Sequence, residues 1–85
     1  MTRDEVERGL TEIVQQVNGT DPALATTTIF AADTSLYDEL NVDSLAMVEL
    51  AEAVEERYGV TTNEDHLHEL KTFGDAVDYV DSLLR

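Results

Sequence analysis

Cysteine is absent from this sequence, which removes disulfides, thiolate metal sites and a cysteine nucleophile together and suits a reducing compartment. Positive charge is scarce: five Lys and Arg stand against nineteen Asp and Glu, for a formal net charge of −14. Phosphates are repelled by such a chain, so nucleic acid and anionic membrane surfaces are poor partners and basic protein surfaces are good ones. No apolar run is long enough to span a bilayer, and Met1-Thr2-Arg3-Asp4-Glu5 leads into an amphipathic segment rather than an apolar signal core. A cytoplasmic chain without membrane insertion is expected, and its charge favours a monomer. There is no Gly-x-Ser-x-Gly elbow of a serine hydrolase, no ligand spacing of a calcium-binding EF-hand loop, no internal repeat and no low-complexity segment.

What is present is periodicity. The hydrophobic fraction of 42% falls in regular groups, which argues for folding rather than disorder despite the charge. With 85 residues the chain makes one domain, 1–85, whose core is too small for much redundancy. From Asp4 to Val17, Val6, Leu10, Ile13, Val14 and Val17 form one apolar stripe at the helical period. Thr2 is the candidate N-cap, and Asn18-Gly19 can take the positive φ that ends a helix.

Thr20 to Ser35 reads as a long connection. Its cluster Thr26-Thr27-Thr28-Ile29-Phe30 has strand-like composition but no second strand to pair with, so a loop pinned to the core by Ile29 and Phe30 is expected. Leu36 and Leu40, one helical turn apart, suggest a short turn of helix over Ser35 to Leu40. The next helix, Ser44 to Tyr58, puts Met47, Leu50, Ala51, Val54 and Tyr58 on a core stripe. Its other face carries Leu45, Val48, Glu49, Glu52, Glu55 and Glu56: charge to steer a basic partner and a small apolar patch for contact. Gly59 caps it. Asn63-Glu64-Asp65 opens a short helix ending near Leu70 with Leu67 and Leu70 inward, and Thr72 caps a last helix whose core positions are Phe73, Ala76, Val77, Val80 and Leu84. The fold class is all-α: a four-helix bundle with a short third helix and a long first loop.

Ser44 follows Asp43 where a turn-prone Asn41-Val42-Asp43 gives way to a helix, so its hydroxyl lies at a helix start, where free N–H donors and the positive end of the dipole favour an attached phosphate. An Asp-Ser pair is also simply a good N-cap. His66 and His68 lack the one-turn spacing of helical metal ligands and read as solvated surface residues, so no metal site and no catalytic group are assigned.

Asp43-Ser44-Leu45, preceded by Leu36-Tyr37-Asp38-Glu39-Leu40 and followed by Val48-Glu49-Leu50, with the later Thr72-Phe73 and Ala76-Val77-Asp78-Tyr79-Val80, resembles the acyl carrier proteins. The likeness runs from about Thr34 to Val80. It implies the family's four-helix fold and a 4′-phosphopantetheine arm, taken from coenzyme A and attached to Ser44 between Asp43 and Leu45, with an acyl thioester as cargo. Asp43 would also help a phosphopantetheinyl transferase place the serine and its metal-bound coenzyme A. Leu45, Val48, Glu49, Glu55 and Glu56 match positions at which the family's carriers meet acyl-loading, condensing and acyl-transferring enzymes. The acyl chain would find shelter if the core near Tyr58, Val54 and Leu70 opened.

Three residues depart from the family pattern. Asn41 stands where glycine is usual, and asparagine is the non-glycine residue that best tolerates a left-handed backbone. Ala46 replaces a frequent acidic residue and Glu52 a frequent apolar one, which tilts the expectation from general fatty-acid synthesis toward a dedicated carrier of a polyketide, lipopeptide or other secondary product. The alternatives are a peptidyl or aminoacyl carrier, whose site more often reads Gly-Gly-His-Ser or Gly-Gly-Asp-Ser, and an acidic helical interaction module with no prosthetic group.

Overall fold

Thr2 begins the fold with a reciprocal cap. Its hydroxyl accepts the Glu5 N–H at 3.3 Å while the Glu5 carboxylate accepts the Thr2 N–H, so two donors that the helix start would leave orphaned are satisfied. The computed structural model describes residues 1–85, with α1 at Arg3–Val17, α2 at Ser44–Tyr58, α3 at Glu64–Leu67 and α4 at Phe73–Leu83. Val6, Leu10, Ile13 and Val14 of α1 are buried, and they meet Leu50 and Val54 of α2 and Phe73, Ala76, Val77 and Val80 of α4 in one cluster. The all-α bundle with a short third helix is thus as the periodicity predicts. Its sole β feature is an isolated antiparallel bridge between Ser35 and Thr72.

The long first connection is a loop, held at three places. The Gln15 side chain donates to the Thr26 carbonyl at 3.0 Å and accepts its N–H at 2.7 Å, and the Thr11 hydroxyl accepts the Phe30 N–H. Phe30 then sets its edge against Phe73, centroids 5.5 Å apart, and Ile29 packs beside it. Ser35 to Leu40 differs from expectation. It is one hydrogen-bonded turn rather than a helix: the N–H groups of Glu39 and Leu40 both reach the Ser35 carbonyl at 3.1 Å, and left-handed Asn41 then turns the chain away. Leu36 and Leu40 are nonetheless buried. Likewise α3 stops at Leu67, because the next bonds tighten to one residue shorter, Glu69 to His66 and Leu70 to Leu67. Leu67 and Leu70 still face inward, half-buried.

Two local devices set the ends of α2 and α4. Gly9 lies against the α2 terminus, where a Cβ would collide with the Tyr58 hydroxyl oxygen. That hydroxyl is buried without a hydrogen-bond partner, and burial pushes its pKa up. At the start of α4, the Thr72 hydroxyl accepts the Asp75 N–H, and the Asp75 carboxylate accepts the N–H groups of Lys71 and Thr72 at 3.0 and 3.1 Å. Those bonds, the Lys71 one first, favour the charged form and hold the Asp75 carboxyl below its ordinary value. A carboxylate so lowered stabilises the fold above its unfolded pKa, and that contribution is lost as the pH falls through its folded value.

We expect Gly9→Ala to cost about 1–3 kcal/mol in urea unfolding, and Tyr58→Phe, which removes the partnerless hydroxyl, to cost nothing by itself and to recover most of that loss in the double variant. Asp75→Asn should lower stability at neutral pH by about 1 kcal/mol. Its deficit should shrink as unfolding is repeated below the ordinary Asp range of about 3.9.

Candidate functional site

The approach to Ser44 is a tight, hydrogen-bonded turn. The Leu40 N–H donates to the Ser35 carbonyl, the Val42 N–H to the Leu36 carbonyl at 2.7 Å, and the Asp43 N–H to the Asn41 carbonyl at 3.2 Å. Asn41 takes φ 57°, the one positive φ at a residue other than glycine, as its replacement of glycine requires. Val42 is buried and anchors the turn, which brings Asp43, in extended conformation, to the N-cap of α2. Its carboxylate accepts the Ala46 N–H at 2.8 Å. Asp43 is therefore the cap, and Ser44 is the first helical residue with its side chain exposed.

The chain has three serines, and their hydroxyls differ in freedom. The Ser35 hydroxyl accepts the Asp38 N–H, and the Ser82 hydroxyl donates to the Tyr79 carbonyl at 2.6 Å near the negative end of α4. The Ser44 hydroxyl makes no bond within the chain, and neither do the N–H groups of Ser44 and Leu45. The first turn of α2 holds no acidic residue, whereas α1 places Asp4 and Glu5 there, α3 Glu64 and Asp65, and α4 Asp75. A phosphate ester at this helix start would meet unused donors and the positive dipole end, with the carboxylate of the capping Asp43 beside it. Tyr37, Asp38, Asn41 and Asp43 line an open depression next to it. Tyr37 is 69% exposed, turned outward by its place between the two inward leucines, Leu36 and Leu40.

Down the exposed face of α2, Leu45 is 69% and Val48 48% exposed, with Glu49, Glu52 and Glu56 open to solvent beside them. No ion pair engages these three carboxylates, since the arginines are occupied elsewhere: Arg3 with Glu7 and Asp78, Arg8 with Asp4, Arg57 with Glu12, Arg85 with Asp81. Glu55 departs from its expected place on this face. It is half-buried, and its carboxylate accepts the Thr62 N–H at 2.8 Å and hydroxyl at 3.0 Å, which fastens the loop after Gly59 to α2. Ala46 is also half-buried and packs against the core.

Between α2, α3 and α4 lies an apolar cavity of about 20 Å³, lined by Leu50, Val54, Leu67, Leu70 and Val80 among others. Val54 and Leu70, expected near an opening for an acyl chain, line this cavity; Tyr58 does not, its hydroxyl lying against Gly9. His66 sets its ring edge-on to Tyr79, centroids 5.6 Å apart, and His68 is exposed. No group of three or more His, Asp or Glu is gathered to hold a metal ion, and no helix is long and apolar enough to cross a membrane.

An exposed, unbonded serine hydroxyl at the start of a helix suits the attachment of a phosphate-linked group. The family model described as "Phosphopantetheine attachment site" matches residues 8–80. The chain is 39% identical to the meromycolate extension acyl carrier protein of Mycolicibacterium smegmatis over 82 residues, 96% of this chain and 78% of that one. In structure it is similar to the holo acyl carrier protein of Geobacter metallireducens, with TM-score 0.69, 32% identity, and 88% and 80% of the two chains covered. It is also similar to the 3,7-dioxo-octyl actinorhodin acyl carrier protein of Streptomyces coelicolor, with TM-score 0.65, 29% identity, and 98% and 90% covered. The chain belongs to the phosphopantetheine-attachment family, as an acyl carrier that holds acyl groups on a covalently attached 4′-phosphopantetheine. That role brings it to a phosphopantetheinyl transferase and to biosynthetic enzymes in general. An interaction module with no prosthetic group is thereby set aside.

Asp43→Ala removes the N-cap and should cost about 1 kcal/mol in chemical denaturation. Its amide signals should broaden or shift at Ser44 to Met47 first, while those of α4 stay in place.

Proposed function

We propose that Ser44 is the residue that takes the arm, and that the exposed face of α2 is where partner enzymes dock. The observation that carries the first part is the contrast among the serines: Ser44 alone combines a free hydroxyl with unused N–H donors at a helix start. Once bound, the arm supplies a thiol that holds the acyl group as a thioester. The chain's own residues do the rest. Asp43 fixes the first turn through Ala46 with one carboxylate oxygen, leaving the other unbonded in the chain to face the transferase's metal-bound coenzyme A. The N–H groups of Ser44 and Leu45 stand ready for the phosphodiester.

Leu45 and Val48 offer apolar contact, and Glu49, Glu52 and Glu56 offer charge without an internal partner, so a basic surface gains attraction on approach without breaking an ion pair. Glu55 serves the loop instead. Of the two sequence departures on α2, half-buried Ala46 bears little on docking, while Glu52 makes the face more acidic. That local change supports a carrier dedicated to one secondary-metabolite pathway. The similar proteins bear names from both meromycolate extension and actinorhodin, and enzymes of either kind would meet the same face.

Incubation with coenzyme A, magnesium and a promiscuous phosphopantetheinyl transferase should add the mass of one phosphopantetheine to the wild-type chain and nothing to Ser44→Ala. A gain by the alanine variant would refute the assignment. For the docking face, Glu49→Lys with Glu52→Lys should lower kcat/KM of acyl transfer by a partner enzyme roughly tenfold, and the wild-type rate should fall as salt is raised. A salt-independent rate, equal in both proteins, would contradict that surface.

A further inference from the structure

The turn that presents Ser44 contains a conformation that glycine would hold freely and Asn41 does not. Non-glycine residues in the left-handed region carry a steric cost, and a rotation of the Leu40–Asn41 peptide plane would relieve it by changing Leu40 ψ and Asn41 φ together. Such a rotation would also swing the Leu40 carbonyl round. In the structure that carbonyl is held: the Asn18 side-chain N–H₂ donates to it at 2.6 Å, across 22 residues of sequence. Asn18 is itself fixed as the C-cap of α1, its backbone N–H bonded to the Val14 carbonyl at 3.0 Å. Val42, on the far side of Asn41, is fixed by its N–H bond to Leu36 and by burial. The peptide on which Asn41's left-handed turn depends is thus clamped from both ends, and one clamp is a side chain of a different helix.

We propose that Asn18 is a positioning residue for Ser44. By holding the Leu40 carbonyl it keeps Asn41 left-handed, and through Asn41, Val42 and Asp43 it sets the direction in which the chain enters α2 and offers the serine hydroxyl. The inference rests on Ser44 being the attachment residue. Neither Asn18 nor Leu40 needs to touch the transferase, coenzyme A or the arm.

The test combines loading kinetics with amide spectra of the unloaded protein. In Asn18→Ala, and in the isosteric Asn18→Asp that replaces the donor by an acceptor, kcat/KM for phosphopantetheine transfer should fall roughly fivefold, the factor a single net hydrogen bond is worth. The measurement is made well below the unfolding temperature of each variant. The amides of Asn41 and Asp43 should shift. Adding Asn41→Gly, which takes the left-handed conformation without cost, should bring transfer back to within about twofold of wild type; a role in overall stability alone would not be relieved selectively at this turn. Wild-type rates in both Asn18 variants would overturn the proposal, as would a loss that Asn41→Gly does not restore. Failure of the wild-type chain to load at all would sink the Ser44 reading itself. The spectra tell the two apart, because unmoved Asn41 and Asp43 amides in Asn18→Ala overturn the positioning role whatever the loading.

Discussion

The start of α2 depends on one backbone constraint: the chain must leave the buried pair Leu36 and Leu40, reverse through left-handed Asn41, bury Val42, and arrive at Asp43 extended enough to cap a helix. Every one of these steps is fixed by a hydrogen bond or by burial, so the serine that follows has little freedom in its backbone and full freedom in its hydroxyl. A carrier needs that combination. The attachment point must be presented to several enzymes in the same pose, while the chemistry occurs on a flexible arm whose anchor does not need to move.

Charge is distributed with the same division of labour. Many of the nineteen acidic residues serve the fold: Glu5 and Asp75 complete capping boxes, Asp43 caps α2, the Glu39 carboxylate accepts the Ser35 N–H, and Glu55 ties down Thr62. The arginines, few as they are, are spent on exposed pairs such as Arg3 with Asp78 and Arg57 with Glu12, which link α1 to its neighbours but add little stability each. What is left over is the unneutralised face of α2. Its repulsion of anions and attraction for basic surfaces follow from what the arginines do not cover, not from an unusual local density of acid.

Much of this was legible in the sequence because it is local. The apolar stripes of α1, α2 and α4, the caps at Thr2, Asn63, Thr72 and Gly59, and the positive φ expected of Asn41 all depend on residues within one or two turns of each other. What escaped the sequence is set by partners far along the chain. Glu55 has the spacing of a surface carboxylate, and only the return of the chain after left-handed Gly59 brings Thr62 under it. Tyr58 packs against the core as its spacing predicts, but the seat of its hydroxyl against Gly9 of another helix carries no local signal. The Ser35 to Leu40 turn has the leucine spacing of a helix, yet Asn41 ends it after one turn. The clamp of Asn18 on Leu40 carries no sequence signal beyond an asparagine well suited to ending a helix.

If the phosphodiester sits on the first residue of α2, fragment-ion mapping of the loaded protein will locate it there. Tandem mass spectra of the peptide spanning Asp43 to Arg57 should place the phosphopantetheine mass on fragments that contain Ser44, with the neighbouring residues unmodified. Finding it instead on a peptide that carries Ser35, Ser82 or a threonine would contradict the claim that a free hydroxyl beside unused N–H donors at a helix start selects the site.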